Sequence, residues 1–232
     1  AVVTDGAEPS ERGVFDMPIE LPPSLEPQRS FFESTLRSAQ LRLLYFSEPL
    51  GWAPFVERES FADRFVVLDR RNLFEHTIRE LCEISKDVEI PESFSAGLER
   101  RVLFSVSPSM YAKAVPEFDE DFAYEKLLCH ELAHRLHIRI LDGNENAMGP
   151  IWFFEGFALV DAGQFISDAL DLSNEELVSV LELSRRISYR QYAKVIRCFL
   201  RIFSLPTLVE WAKNDGFAAW LKKEFLKVQS CC

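Results

Sequence analysis

Three of the four histidines of this chain fall in one run, LLCHELAHRLH, from Leu127 to His137. His130-Glu131-Leu132-Ala133-His134 reads H-E-x-x-H. On a helix, positions i and i+4 lie one turn apart on the same face. Two imidazoles so placed can converge on one metal ion. A catalytic zinc takes three protein ligands and keeps an open position for water. A glutamate beside the first histidine can reach that water without ligating the metal. Glu131 would then be the general base, with zinc lowering the pKa of the water toward about 7. An amphipathic helix with incidental histidines has the same spacing. Against that stand Leu127, Leu128, Leu132 and Leu136, which imply a buried helix whose polar groups need partners.

A third ligand must come from elsewhere, and Glu155 in IWFFEGFALVDA is the candidate. A carboxylate among Trp152, Phe153, Phe154 and Phe157 is costly to bury unpaired, and a metal removes that cost. The 21 positions from His134 to Glu155 leave room for a helix end, a reversal and a second helix running back. Gly156 and Ala158 are small enough for close helix packing. The alternative is a glutamate on the exposed side of an apolar helix.

HELAH followed by WFFEGFA resembles the gluzincin branch of zinc metallopeptidases, in which H-E-x-x-H precedes W-x-x-E-G-x-A by about twenty residues. The spacing is similar to the M1 aminopeptidases and the smaller peptidase-MA-like families. The resemblance implies His130, His134 and Glu155 as ligands of one zinc ion and Glu131 as the base. It also implies a tyrosine on a later helix that stabilises the oxyanion. In SYRQYAKVIRCFL, Tyr189 holds that position and Tyr192 is the competitor. Two features depart from the pattern. The G-x-M-x-N motif of the aminopeptidases does not precede the helix, so aminopeptidase activity is not expected. The metzincin pattern would place Gly at 137 and His at 140, where this chain has His137 and Ile140. His137 is therefore expected to lie behind the ligands, face substrate or meet solvent. His76 stands alone in another helix and is expected to be structural or exposed.

The elements that must position these groups follow from periodicity. SFFESTLRSAQLRLLYF is helical, with Ser30 and Glu33 forming a capping-box signature. DRFVVLDR and RRVLFSVSPS read as strands, and NLFEHTIRELCEIS as a helix. Residues 118–141 form the long histidine helix, with acids crowding its first turns and arginines its last. DGNENAMGP is a turn. IWFFEGFALVDAGQF is a helix, SNEELVSVLEL a helix capped at Ser173 or Asn174, and YRQYAKVIRCFLRIF and LPTLVEWAKNDGFAAWLKKEFLKV two more. Residues 1–29 carry five prolines and read as an extended or disordered arm. Alternating Phe15, Met17, Ile19 and Leu21 would let that arm lie along the domain or cover a cleft. The expected architecture is α+β: one domain over 30–232, with a small mixed sheet and the zinc helix over about 30–141 and a helical part over about 142–232. The resemblance makes it zincin-like, with a sheet edge before the zinc helix holding extended substrate. RRVLFSVS is the candidate for part of that sheet.

Composition narrows the partners. A net charge of −11 without a basic block argues against nucleic acid. No apolar run is long enough to span a membrane. Five dispersed cysteines fit no disulfide framework, so reduced thiols and a cytoplasmic rather than secreted protein are expected. The N-terminal residues lack the basic start and apolar core of a signal peptide. Cys231-Cys232 reads equally as a lipidated or a plain tail. The function expected is hydrolysis of a peptide or protein substrate. The alternative is an inactive metallopeptidase-like binding or scaffold protein. Oligomeric state stays open.

Overall fold

The computed structural model describes residues 12–182 and 188–229. In chain order come β1 (Ile19–Glu20), α1 (Arg29–Ser47), α2 (Ala53–Glu57), β2 (Arg64–Leu68), α3 (Arg71–Cys82), β3 (Ala96–Glu99), β4 (Val102–Val106), α4 (Pro108–Ala114) and α5 (Ala123–Ile140). Then follow α6 (Ile151–Asp161), α7 (Asn174–Leu181), α8 (Tyr189–Leu200), α9 (Leu205–Ala212) and α10 (Phe217–Gln229). The result is α+β: a small mixed sheet in the first half and helices in the second. No helix of the described residues is long and apolar enough to cross a membrane.

The sheet order is β1-β2-β4-β3, with β1, β2 and β4 parallel and β3 antiparallel to β4. Every residue of β4 is buried, as a strand paired on both sides should be. RRVLFSVS is thus part of the sheet as expected, as a central strand, and the edge is β3. The Ala-Gly-Leu-Glu sequence of β3 lacks the β-branched residues that announce a strand. It is held instead by pairing and by the ring of Phe104, which lies over Gly97. A Cβ on Gly97 would meet that ring at 2.6 Å. Arg100 and Arg101 turn the chain from β3 to β4, both at positive φ (47° and 60°). The two-residue turn with positive φ at both positions matches strand twist, though asparagine and glycine adopt it at lower cost.

Residues 12–28 lie along α1 and the outer side of β2. Gln40 on α1 accepts from the Phe15 amide at 2.9 Å and donates to its carbonyl at 3.2 Å. Ile19 and Glu20 pair with Phe65 and Val66. This places the segment at the sheet edge opposite β3. Residues 1–11 and Cys231-Cys232 are outside the described residues.

Several boundaries differ from expectation for local reasons. Ser30 does not cap α1, because turns bonded from Leu25 to Pro22 and from Gln28 to Leu25 start the helix at Arg29. The long helix begins at Ala123, not 118. Pro116–Phe118 make a 3₁₀ turn, and Phe122 sits in the left-handed region at φ 61°. Phe118 is buried, its ring 4.7 Å from that of Phe165. The expected helix over LPTLVEWAKNDGFAAWLKKEFLKV is two, broken after Ala212 where Asn214 accepts from Phe217. Phe217 then stacks on Trp152 at 5.8 Å. Ser173 caps α7 with the full capping box to Glu176.

Helix α5 packs between α1, α6 and β3, and α6 packs on α8. The α6–α8 approach depends on Gly156, where a Cβ would come within 3.2–3.3 Å of Ile196. Buried under α5, Cys129 donates to Asp161 Oδ1 at 3.7 Å, and Asp161 Oδ2 has no partner. Burial drives the Asp161 carboxyl well above the usual range, against smaller lowering effects of Cys129 and Arg42. The folded state therefore holds a proton that the unfolded chain releases above about pH 4. Stability contributed by this proton is complete below that pH and is lost as pH rises toward the folded pKa, at about 1.4 kcal/mol per unit. Asp161→Asn should remove this slope, read as denaturant midpoints of both proteins from pH 5 to pH 8. Parallel pH profiles would mean that the carboxylate is ionised in the fold.

Candidate metal centre

One turn of α5 places His130 and His134 side by side, and α6 brings Glu155 to them. His130 Nε2 and His134 Nε2 are 3.1 Å apart. Glu155 Oε2 lies 3.2 Å from the first and 3.4 Å from the second. Glu155 and His130 are buried, at 2% and 6% exposure, so water does not share the load. Burial alone would raise the Glu155 carboxyl, but hydrogen bonds and charge from His130 and His134 outweigh it and hold it well below the usual range. Burial likewise lowers His130, and Glu155 and Glu131 raise it beyond that loss.

Gln164, just past α6, contacts the other nitrogen of His130. Its Oε1 lies 2.9 Å from His130 Nδ1, so Nδ1 donates there and Nε2 is left to donate to Glu155 or to turn a lone pair to a cation. Nε2 faces the Glu155 oxygen and a second imidazole nitrogen. Acceptors this close need a proton or a cation between them. His130, His134 and Glu155 form the group among the described residues whose ligand atoms could together hold a metal ion.

Glu131 is not part of that group. It lines a cavity of about 50 Å³ with His130, Gln164, Tyr111, Tyr189 and the chain entering β3 at Ser93–Ala96. That is room for a water molecule. The ring of Tyr189 stands edge-on to His130 at 6.0 Å. Tyr192, the competitor, is buried at 1% exposure and is not in the cavity wall. Two members of the cavity were invisible in the sequence. Gln164 belongs to no motif. Tyr111 follows Pro108 on short α4, and its buried hydroxyl has no partner.

His137 is elsewhere. It is fully buried, stacked on Phe157 at 4.3 Å and edge-on to Phe153 at 5.9 Å. Neither ring nitrogen has a hydrogen-bond partner. It neither faces solvent nor joins the metal group. His76 is exposed on α3, 3.3 Å from Glu80.

No family model matches this chain, and no curated protein or solved structure does either.

Proposed function

We propose that the chain is a zinc-dependent peptide-bond hydrolase of gluzincin type on a zincin-like fold. The observation that carries this is the convergence of two imidazole nitrogens and one buried carboxylate oxygen within 3.1–3.4 Å beside Glu131. The donor set suits zinc. With bonds of about 2.0–2.1 Å to nitrogen and oxygen, ligands of a tetrahedral ion sit about 3.3 Å apart, which is the spacing here. When bound, zinc would supply a Lewis acid and lower the pKa of water in the open position.

The protein's own residues account for the remaining steps. Glu131 takes the proton from the attacking water and hands it to the departing amine. Tyr189 donates its hydroxyl to the oxyanion of the tetrahedral intermediate. Gln164 keeps His130 in the tautomer that ligates. The peptide lies along the edge of β3, where ladder alternation turns the Ala96 amide and carbonyl outward. The cavity at Ser93–Ala96 puts that edge next to Glu131 and Tyr189.

The test is metal analysis with activity on a broad peptide library. One zinc per chain is expected, with cleavage lost on chelation and restored by zinc. A chain that carries no stoichiometric metal would sink the proposal. Zinc without turnover on any peptide would favour the binding or scaffold alternative.

A further inference from the structure

Five arginines meet around one cavity of about 660 Å³ at the far end of β3: Arg58, Arg100, Arg101, Arg135 and Arg139. The acids in its wall are Glu99 and Asp142. The wall thus carries five positive and two negative charges in a chain of net charge −11, and Glu83 and Asp63 pair with Arg100 and Arg101 from outside it. The arginines come from three separate segments.

The two innermost are oriented by carbonyls, which fix a guanidinium without neutralising it. Arg139 Nη1 donates to the carbonyls of Phe55 (2.7 Å) and Glu59 (3.0 Å), and its guanidinium lies over Phe61 at 3.8 Å. Arg135 Nε donates to the Leu98 carbonyl at 3.1 Å. Their carboxylate contacts are looser, 3.8 Å to Glu59 for Arg139 and 3.2 and 3.4 Å to Glu99 and Glu145 for Arg135. Arg58 is exposed and, among the described residues, has no ion pair. Burial lowers the basicity of Arg139, and after a partly offsetting Glu59, the like charges of Arg58 and Arg101 lower it further. An anion in the cavity would relieve that repulsion.

The cavity is in line with the metal centre. Leu127, Glu131, Arg135, Ile138 and Asp142 form one i, i+3/i+4 stripe of α5 and its C-terminal turn. Leu127 and Glu131 line the small cavity, and Arg135, Ile138 and Asp142 line the arginine cavity. Strand β3 does the same, with Ala96 at one cavity and Leu98 and Glu99 at the other. The step from Ala96 to Glu99 is about 10 Å in an extended chain. Arg135 occupies the Leu98 carbonyl, so a peptide paired at Ala96 leaves the strand where the arginines begin.

We propose that this cavity is a subsite for an acidic side chain, carboxylate or phosphorylated, two to four residues from the bond cleaved, so that the protein selects acidic peptides. This rests on the hydrolase reading above. Guanidinium forks match carboxylate and phosphate oxygens in pairs.

The test uses a fluorescein-labelled decapeptide with Glu, phosphoserine or Gln placed at each position in turn. Binding is read by anisotropy on zinc-loaded Glu131→Gln protein and cleavage on the parent. The acidic peptides should bind about tenfold or more tightly than the Gln peptides when the charge is two to four residues from the cleavage site. The preference should shrink as salt rises. It should fall below about threefold in Arg58→Ser/Arg100→Ser/Arg101→Ser, three exposed changes checked by thermal melting. A preference for phosphoserine over Glu would assign the subsite to phosphopeptides, and equal preference to acidic peptides in general. Binding with no charge preference, no binding at all, or a preference untouched by salt and by the triple variant overturns the proposal. If the parent cleaves no peptide while the anisotropy preference stands, the hydrolase reading fails and the anion subsite survives.

Discussion

Glu131→Gln should retain the metal, melt at the parent's temperature and lose hydrolysis by about a hundred- to ten-thousandfold in kcat. The substitution keeps shape and hydrogen bonding and removes the base. Glu131 is on the same helix as His130 and His134, lines the water-sized cavity, and is absent from the group of atoms that could hold a metal. Metal content therefore separates the two roles a glutamate can have here. If the variant hydrolyses peptides as fast as the parent, Glu131 is not the base. If it loses zinc, Glu131 belongs to the coordination shell. A KM that stays put while kcat falls would locate the loss in the transition state.

The second large effect is on stability in acid. His137 is fully buried among aromatic rings with neither nitrogen bonded. Burial first, and then the charge of His134, push its pKa from 6.5 down to about 3. The folded protein therefore keeps it neutral, while the unfolded chain binds a proton below about pH 6.5. Its depressed pKa leaves stability complete above pH 6.5, and stability is lost as pH falls through the window from 6.5 to 3. At pH 5 that loss is about 2 kcal/mol (1.5 units at 1.36 kcal/mol each). His137→Leu removes the titrating group and two unsatisfied nitrogens, each a cost of about 1–3 kcal/mol. The variant should be the more stable at pH 7, and its advantage should widen by about 2 kcal/mol at pH 5 in urea denaturation. An advantage that does not change with pH would show that His137 is hydrated or bonded in the fold.

What could be read from the sequence depended on whether the signal was local. His130 and His134 are one helical turn apart, so their convergence follows from helix geometry alone. Glu155 was legible because a carboxylate among Trp152, Phe153 and Phe154 demands a partner. Gln164 was not, since nothing in the chain links it to a histidine 34 positions earlier until α5 and α6 pack. The short β3 was hidden because Ala96 and Gly97 have no strand preference and owe their conformation to β4. The arginine cavity was invisible for the same reason: a scan for basic runs finds none when the cations arrive from residue 58, residues 100–101 and residues 135–139. The surroundings of His137 were not legible either, although it shares a helix with His130 and His134. Its neighbours are decided by α6, which presents Phe153 and Phe157 there.

Gly156 gives the site a length standard. It follows Glu155 directly, and the missing side chain is what lets α6 rest on Ile196 of α8, the helix that begins with Tyr189. The spacing between a carboxylate that would hold the cation and a hydroxyl that would meet the oxyanion is thus gauged by a single absent methyl group, two turns away from the tyrosine. Any chemistry at this centre would be calibrated from inside the helix pair, by a residue outside the His130–His134–Glu155 group.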